Sequence, residues 1–390
     1  MAGRESGWCE GPLQPLRGVN VLDFSRHLPG PWLTRILADL GATVIKIESP
    51  RGDPTRMVPP FVAGMAALYA TANANKHSVS VNLRAEEGRA LLRAMVPRVD
   101  VLVESFRAGV LGRMGLDDET LETLNPRLIV CSLTGFGQKG PDAQRAGHDI
   151  NFLARAGLLS QSGPEGATPV TPFVQVADIA GGSLPGVIGI LGALMERAAT
   201  GRGRRLDVSL THGAAGIGVF AHALASGGMV EPGGAGMLTG GLPCYRCYPT
   251  ADGKALALGA LEPHFFQAFC ERIDRPDLAS RGIIRGDSAI AEIEAITRTR
   301  TRDEWVAHFA GVDCCLEPVL TPDEAQAQLQ SVVEMVAGRP TVRLDVGAPA
   351  APARPPENLG QSGAAIIESL GVEGAVLQAA LACGALNPGG

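Results

Sequence analysis

Short β-rich runs alternate with helical patterns through the first half of this chain, and that alternation narrows the possible folds more than any other feature. Residues 19–24 read as a strand. Residues 31–40 read as a helix, stopped by Gly41 as glycine stops helices at C′. Further strands are predicted at 44–47, 78–83, 101–104 and 128–132, with helical stretches such as 86–95 and 119–124 between most of them. Strands that alternate with helices form βαβ units, so an α/β class with a mostly parallel sheet is expected.

The pattern then changes. A long apolar helix is predicted at about 179–199, ended by Gly201-Arg202-Gly203, with a strand at 205–209. Residues 214–225 are helical and nearly all apolar, so burial is expected. Residues 228–241 are rich in Gly and Pro and read as a linker. Runs at 244–249 and 254–259 flank Ala251-Asp252-Gly253, a hairpin signal. The region 240–325 reads as a smaller α+β domain, 347–356 as an extended Pro/Ala-rich stretch, and 362–384 as one helix or two.

Composition excludes several classes. A net charge of −6 and a pI near 5.7 argue against a general nucleic-acid binder, although a local cation cluster can still hold an anion. Eight Cys in 390 residues point to reduced thiols rather than a disulfide framework. No N-terminal stretch has signal-peptide order. The longest uninterrupted apolar stretch, 184–195, is short for a bilayer and contains Pro185. A cytoplasmic location without a membrane partner is therefore expected.

Familiar chemical motifs are missing. The first βα turn, Ser25-Arg26-His27-Leu28-Pro29-Gly30-Pro31, lacks the dinucleotide glycine fingerprint, and neither a P-loop nor a serine nucleophile elbow occurs. Three acid/base candidates remain. His148 follows the loop 135–147 beyond a strand, where open parallel sheets bind ligands. Capping of the next helix by His148 or Asp149 is the alternative. Asp178 precedes Ile179-Ala180-Gly181-Gly182 and is either an N-cap or a carboxylate beside an anion-stabilising helix end, with small residues that admit a ligand. Glu262 precedes Pro263 and is expected to be extended; a solvated loop glutamate is the bland reading. Cys244-x-x-Cys247 has no second pair with matching spacing, so no metal site is expected. Arg26, Lys46, Arg51, Lys76 and Arg107 are dispersed cations, several near strand ends where they could meet phosphates.

These residues lie in a recognisable pattern. Leu16-Arg17-Gly18-Val19, Leu37-Ala38-Asp39-Leu40-Gly41-Ala42, Val44-Ile45-Lys46-Ile47-Glu48, Asn75-Lys76, Met114-Gly115-Leu116, Asn125-Pro126-Arg127 and Thr134-Gly135-Phe136-Gly137 occur in this order. The chain thereby resembles the family III (CaiB/BaiF-like) CoA-transferases, the group that includes the α-methylacyl-CoA racemases. The resemblance covers about 15–370. It implies a Rossmann-like large domain built from both chain ends, a small domain and an interlocked homodimer. The domain plan becomes an irregular extension (1–14), the large domain (15–227), a linker and small α+β domain (228–325), and a return to the large domain with C-terminal helices (326–390).

The resemblance also implies roles. Asp178 matches the family's shared aspartate, a nucleophile in transferases and an acid/base group in racemases. Gly147-His148-Asp149-Ile150-Asn151 looks like the racemase version, where the histidine is the second base. Gly259-Ala260-Leu261-Glu262-Pro263 looks like the segment whose glutamate supports that histidine. Ser49, His27, Cys244 and Arg246 depart from the expected pattern. The favoured expectation is an acyl-CoA racemase acting on 2-methylacyl thioesters, with Asp178 and His148 as acid and base, Glu262 orienting His148, and the amides at Ile179–Gly181 holding the enolate. Arg107, Lys76 and Lys46 are the expected contacts to coenzyme A. Coenzyme A enters as part of the substrate, and no metal or redox cofactor is required. The alternative is CoA transfer through a covalent Asp178 acyl intermediate. A non-catalytic CoA-binding protein is the rival from another class.

Overall fold

The computed structural model describes residues 11–230, 232–329 and 333–389. The expected irregular extension falls largely outside them. The chain forms two compact units. The first comprises residues 1–152, 175–217 and 329–390, and the second residues 153–174 and 218–328. Residues 153–174, assigned from sequence to the large domain, thus belong to the second unit.

The first unit is built on six parallel strands: β1 (Asn20–Asp23), β2 (Thr43–Glu48), β3 (Lys76–Ser80), β4 (Val101–Glu104), β5 (Ile129–Thr134) and β6 (Arg204–Ser209). Their order is β3-β2-β1-β4-β5-β6, with all pairings parallel. This is the doubly-wound order of dinucleotide-binding folds, and it reverses direction between β1 and β4. Val21, Leu22, Val44, Ile45, Val101 and Leu102 are fully buried, as two-sided coverage of a parallel sheet requires. The C-terminal helices Gly363–Ser369 and Ala375–Ala382 return to this unit; Leu377 and Ala380 share one core with Leu91, Leu92 and Met95 of helix Glu86–Met95.

The long apolar helix is longer than the sequence suggests. It starts at Val176 and runs to Thr200, with one π turn at Ile179–Ser183. Its start is hard to read because the N-cap, Gln175, makes no side-chain cap bond. By length and composition this helix could cross a membrane. Within the unit it is a packing helix, and its glycines explain how. A Cβ on Gly182 would lie 2.1 Å from Leu210 Cδ2, and one on Gly186 2.2 Å from Leu33 Cδ1. On the facing helix, Leu210–Ile217, a Cβ on Gly213 would lie 1.7 Å from the Gly181 carbonyl oxygen. The small residues after Asp178 therefore serve helix-to-helix approach, not access for a ligand. Gly213→Ala should destabilise the protein by about 1–3 kcal/mol, seen as a lower urea midpoint; an unchanged midpoint would refute this packing account.

The second unit holds a three-stranded antiparallel sheet in which Ala255–Gly259 lies between Tyr245–Pro249 and Leu316–Pro318. The Ala251-Asp252-Gly253 turn joins the first pair, with Gly253 at φ +75° and Thr250 N–H donating to the Lys254 carbonyl. Phe266, Phe269, Trp305 and Tyr248 form its core. The expectation of burial across 214–225 holds for Ala214 and fails further on: among the described residues of helix Val219–Ser226 none is buried.

Candidate active site

The crevice beyond the carboxyl ends of the strands, at the switch between β1 and β4, is where this topology places ligands. A cavity of about 500 Å³ opens there, lined by the turn after β1 (Arg26, His27), the loop after β4 (Ser105, Phe106, Arg107) and the end of β5 with its following loop. His148 and Asp178 both line it, and so does Arg107. The first unit thus brings three of the six sequence-nominated site residues to one cavity.

His148 is set by its own helix start. It immediately precedes helix Asp149–Arg155, and its N–H donates to the Asn151 side-chain oxygen at 3.0 Å. That bond is half of a capping box, made through the backbone, so it leaves the imidazole uncommitted. The ring is exposed, and neither nitrogen has a hydrogen-bond partner among the described residues. Phe152 backs the preceding loop tightly: Cβ atoms on Gly135 and Gly147 would fall 2.4 and 2.7 Å from its Cε1.

Asp178 is not the N-cap. It lies in the first turn of its helix, and its carboxylate makes no capping bond. Its N–H instead donates to Asp149 Oδ1 at 2.9 Å. Burial pushes the Asp178 carboxyl up to about 7, and the neighbouring Asp149 carboxylate adds to the rise. Asp149, weighed from sequence only as a cap, ties the His148 helix to the Asp178 helix and tunes the second by charge. The first of the amides expected to hold an enolate is not free: with the helix starting at Val176, Ile179 N–H is spent on the Gln175 carbonyl at 3.0 Å. The positive end of the helix lies one turn earlier, at Asp178 itself.

Two expected coenzyme A contacts are corrected. Lys76 Nζ is buried and donates to Pro31 O (2.7 Å), Thr34 Oγ1 (2.7 Å), Asn73 Oδ1 (3.0 Å) and Asp23 Oδ2 (3.1 Å). Lys46 Nζ is equally enclosed, between the Ser25 carbonyl (2.9 Å) and Asp53 (3.0 Å). Both stand on strands covered on two faces, so their ammonium groups end in the core and cannot reach a phosphate. Of the three expected contacts, Arg107 is the one that is exposed and lines the cavity.

The model of the family described as CoA-transferase family III matches residues 16–361. The chain belongs to that family. Among relatives of this family III protein, an α-methylacyl-CoA racemase from Homo sapiens is 36% identical over 79% of the chain and 78% of its own length. A succinyl-CoA:glutarate CoA-transferase from Homo sapiens is 33% identical over 90% of the chain and 84% of its own length. The crystal structure of a CaiB/BaiF family protein from Brucella suis superposes with a TM-score of 0.81 at 32% identity, covering 92% of this chain and 99% of that one.

Glu262 stands in the second unit of the family III chain. It is exposed and extended (φ −75°, ψ 136°) ahead of helix Pro263–Arg272, as a residue before proline should be, and its side chain does not cap that helix. Its functional role rests on the resemblance alone. Cys244 is buried and Cys247 exposed.

Proposed function

We propose that this family III protein is an acyl-CoA racemase that inverts the α-carbon of a 2-methylacyl thioester. One observation carries this reading: a single cavity presents a carboxyl poised near neutral pH and an uncommitted imidazole. An α-proton beside a thioester carbonyl is weakly acidic, and inversion needs a base on one face and an acid on the other. A group titrating near 7 serves in either role, whereas a nucleophile for acyl transfer gains from being fully ionised. In this mechanism one of Asp178 and His148 takes the proton, the enolate forms against the positive helix end, and the other returns a proton to the opposite face. Coenzyme A enters only as part of the substrate. Arg107, exposed in the same cavity, contacts its phosphates.

CoA transfer through an Asp178 acyl anhydride is the second reading, supported by the transferase relative at nearly the same identity. The two separate in deuterated water without any acceptor acid. The racemase reading expects α-proton exchange on a 2-methylacyl-CoA, cut about 10²–10⁴-fold in His148→Ala. No exchange, together with a covalent acyl adduct on Asp178, sinks it. A homodimer is part of the proposal, supported by Ile188 and Met195, one helical face apart by seven residues and 69% and 77% exposed.

A further inference from the structure

The acyl half of the substrate is left open by that reading, and the turn after β1 bears on it. His27 holds a left-handed backbone at φ 65°, and it lines the cavity beside Arg26. Such outliers persist only where the surroundings over-determine them, and they gather at functional sites. The surroundings here do so. Asp23 accepts from the Ser25 N–H at 2.9 Å and from its hydroxyl, and Lys46 Nζ donates to the Ser25 carbonyl. Arg26 N–H donates to Ser105 Oγ at 3.1 Å. Ser183 Oγ, on the helix of Asp178, donates to the Pro29 carbonyl at 2.6 Å. The turn is clamped from both sides and tied to the helix that carries the reacting carboxyl.

Charge completes the argument. Among the described residues Asp178 is the one carboxyl lining the cavity, against Arg26, Arg107 and Arg145. Arg145 is paired with Asp142 at 3.1 Å. Among the described residues Arg26 and Arg107 have no ion-pair partner, and Arg26 lies over the Phe106 ring, 5.3 Å from its centroid. With Arg107 given to coenzyme A, a second cation remains on a rigid turn with a polar ring beside it.

We propose that Arg26 and His27 receive a carboxylate on the acyl chain, so that the preferred substrates are thioesters of branched dicarboxylic acids. This rests on the acyl-thioester reading above and names the substrate class of the same site. Charge-assisted hydrogen bonds to a guanidinium give the selectivity.

The test is calorimetric titration, which does not depend on turnover. The probes are the CoA thioester of 2-methylsuccinic acid joined beside its methyl-bearing carbon, the neutral isostere 2,4-dimethylpentanoyl-CoA, and free coenzyme A. The wild type should bind the first at least about tenfold more tightly than the second. Arg26→Gln and His27→Asn should bring the two esters within about threefold and leave free coenzyme A unchanged; Asn tolerates the left-handed backbone, so the fold is kept. No preference in the wild type overturns the proposal. So does an equal loss of affinity for free coenzyme A in the variants, which would assign the turn to the cofactor's own phosphates. Failure of the wild type to bind any of the three probes would instead remove the thioester reading itself.

Discussion

Asp178→Asn is expected to lower α-proton exchange by at least about 10³-fold and, above pH 7, to make the protein more stable than the wild type. Both effects come from one carboxyl. Burial raises its pKa to about 7, with the Asp149 carboxylate adding to the shift. A raised carboxyl binds its proton more tightly in the folded chain than in the unfolded one. The wild type therefore loses stability as pH rises from the ordinary value of 3.8 toward 7, and above that it carries the whole cost of a buried anion. The neutral amide removes that cost, by roughly 1–3 kcal/mol at pH 8 after allowing for the partial exposure of the site. Activity has the opposite trend. If Asp178 is the base toward one epimer, kcat/KM for that epimer rises with pH through about 7. Denaturation midpoints at pH 5.5 and 8, beside exchange rates at both, check the pair of claims. An Asp178→Asn protein that is inactive but no more stable at pH 8 than at pH 5.5, relative to wild type, would show that the carboxyl is not held near neutrality.

Much of this arrangement is legible in the sequence, and the physical reason differs for each part. The strand and helix alternation of the first unit is written in hydrophobic runs, because strands covered on both faces must be apolar throughout. His148 stands out because it follows a long loop beyond a strand. Asp178 is found, but its local setting is misread: Asp before Gly-Gly looks like a cap, and only the helix start at Val176 shows that it sits inside the first turn. The glycines look like room for a ligand and prove to be the contact with helix Leu210–Ile217, a partner about thirty residues away that periodicity cannot reveal. Lys46 and Lys76 fail for a related reason. A lysine on a strand reads as a free cation unless its carboxylate partner is known: Asp23 for Lys76, far back in the sequence, and Asp53 for Lys46, past the end of its strand. Asp149 is undervalued because its work is a bond to a backbone N–H on another helix.

Those misplaced lysines yield the other large effect. Asp23→Ala should cost about 3–5 kcal/mol of stability, a large part of what a typical domain has. Asp23 is fully buried at the end of β1. Burial by itself would raise its carboxyl, but the Lys76 and Lys46 ammonium groups, with the Ser25 and Thr34 hydroxyls, more than offset this and hold it below the usual range. Its Oδ2 accepts from Lys76 Nζ at 3.1 Å and Thr34 Oγ1 at 2.6 Å. Removing it leaves two enclosed cations short of a counter-charge, which is the costly way to break a buried pair. Because the folded pKa is depressed, this stabilisation is present above the unfolded value near 3.8 and is lost as pH falls through the folded pKa. Burial pulls the Lys76 ammonium down to about 7, so the pair is intact only below that value; wild type and variant should differ most in urea midpoint near pH 5.5 and converge in stronger acid. Asp23→Asn, which keeps the acceptor facing Ser25 but drops the charge, should fall between them. Should Asp23→Ala fail to fold, the Asn variant alone still carries the comparison, and a midpoint equal to wild type at pH 5.5 would contradict the account. The same carboxylate shapes the turn that presents Arg26 and His27, so the Asn variant should lose ester selectivity less than stability. One oxygen of this carboxylate faces the core ammonium and the Thr34 hydroxyl, and the other accepts the hydrogen bonds that shape the turn.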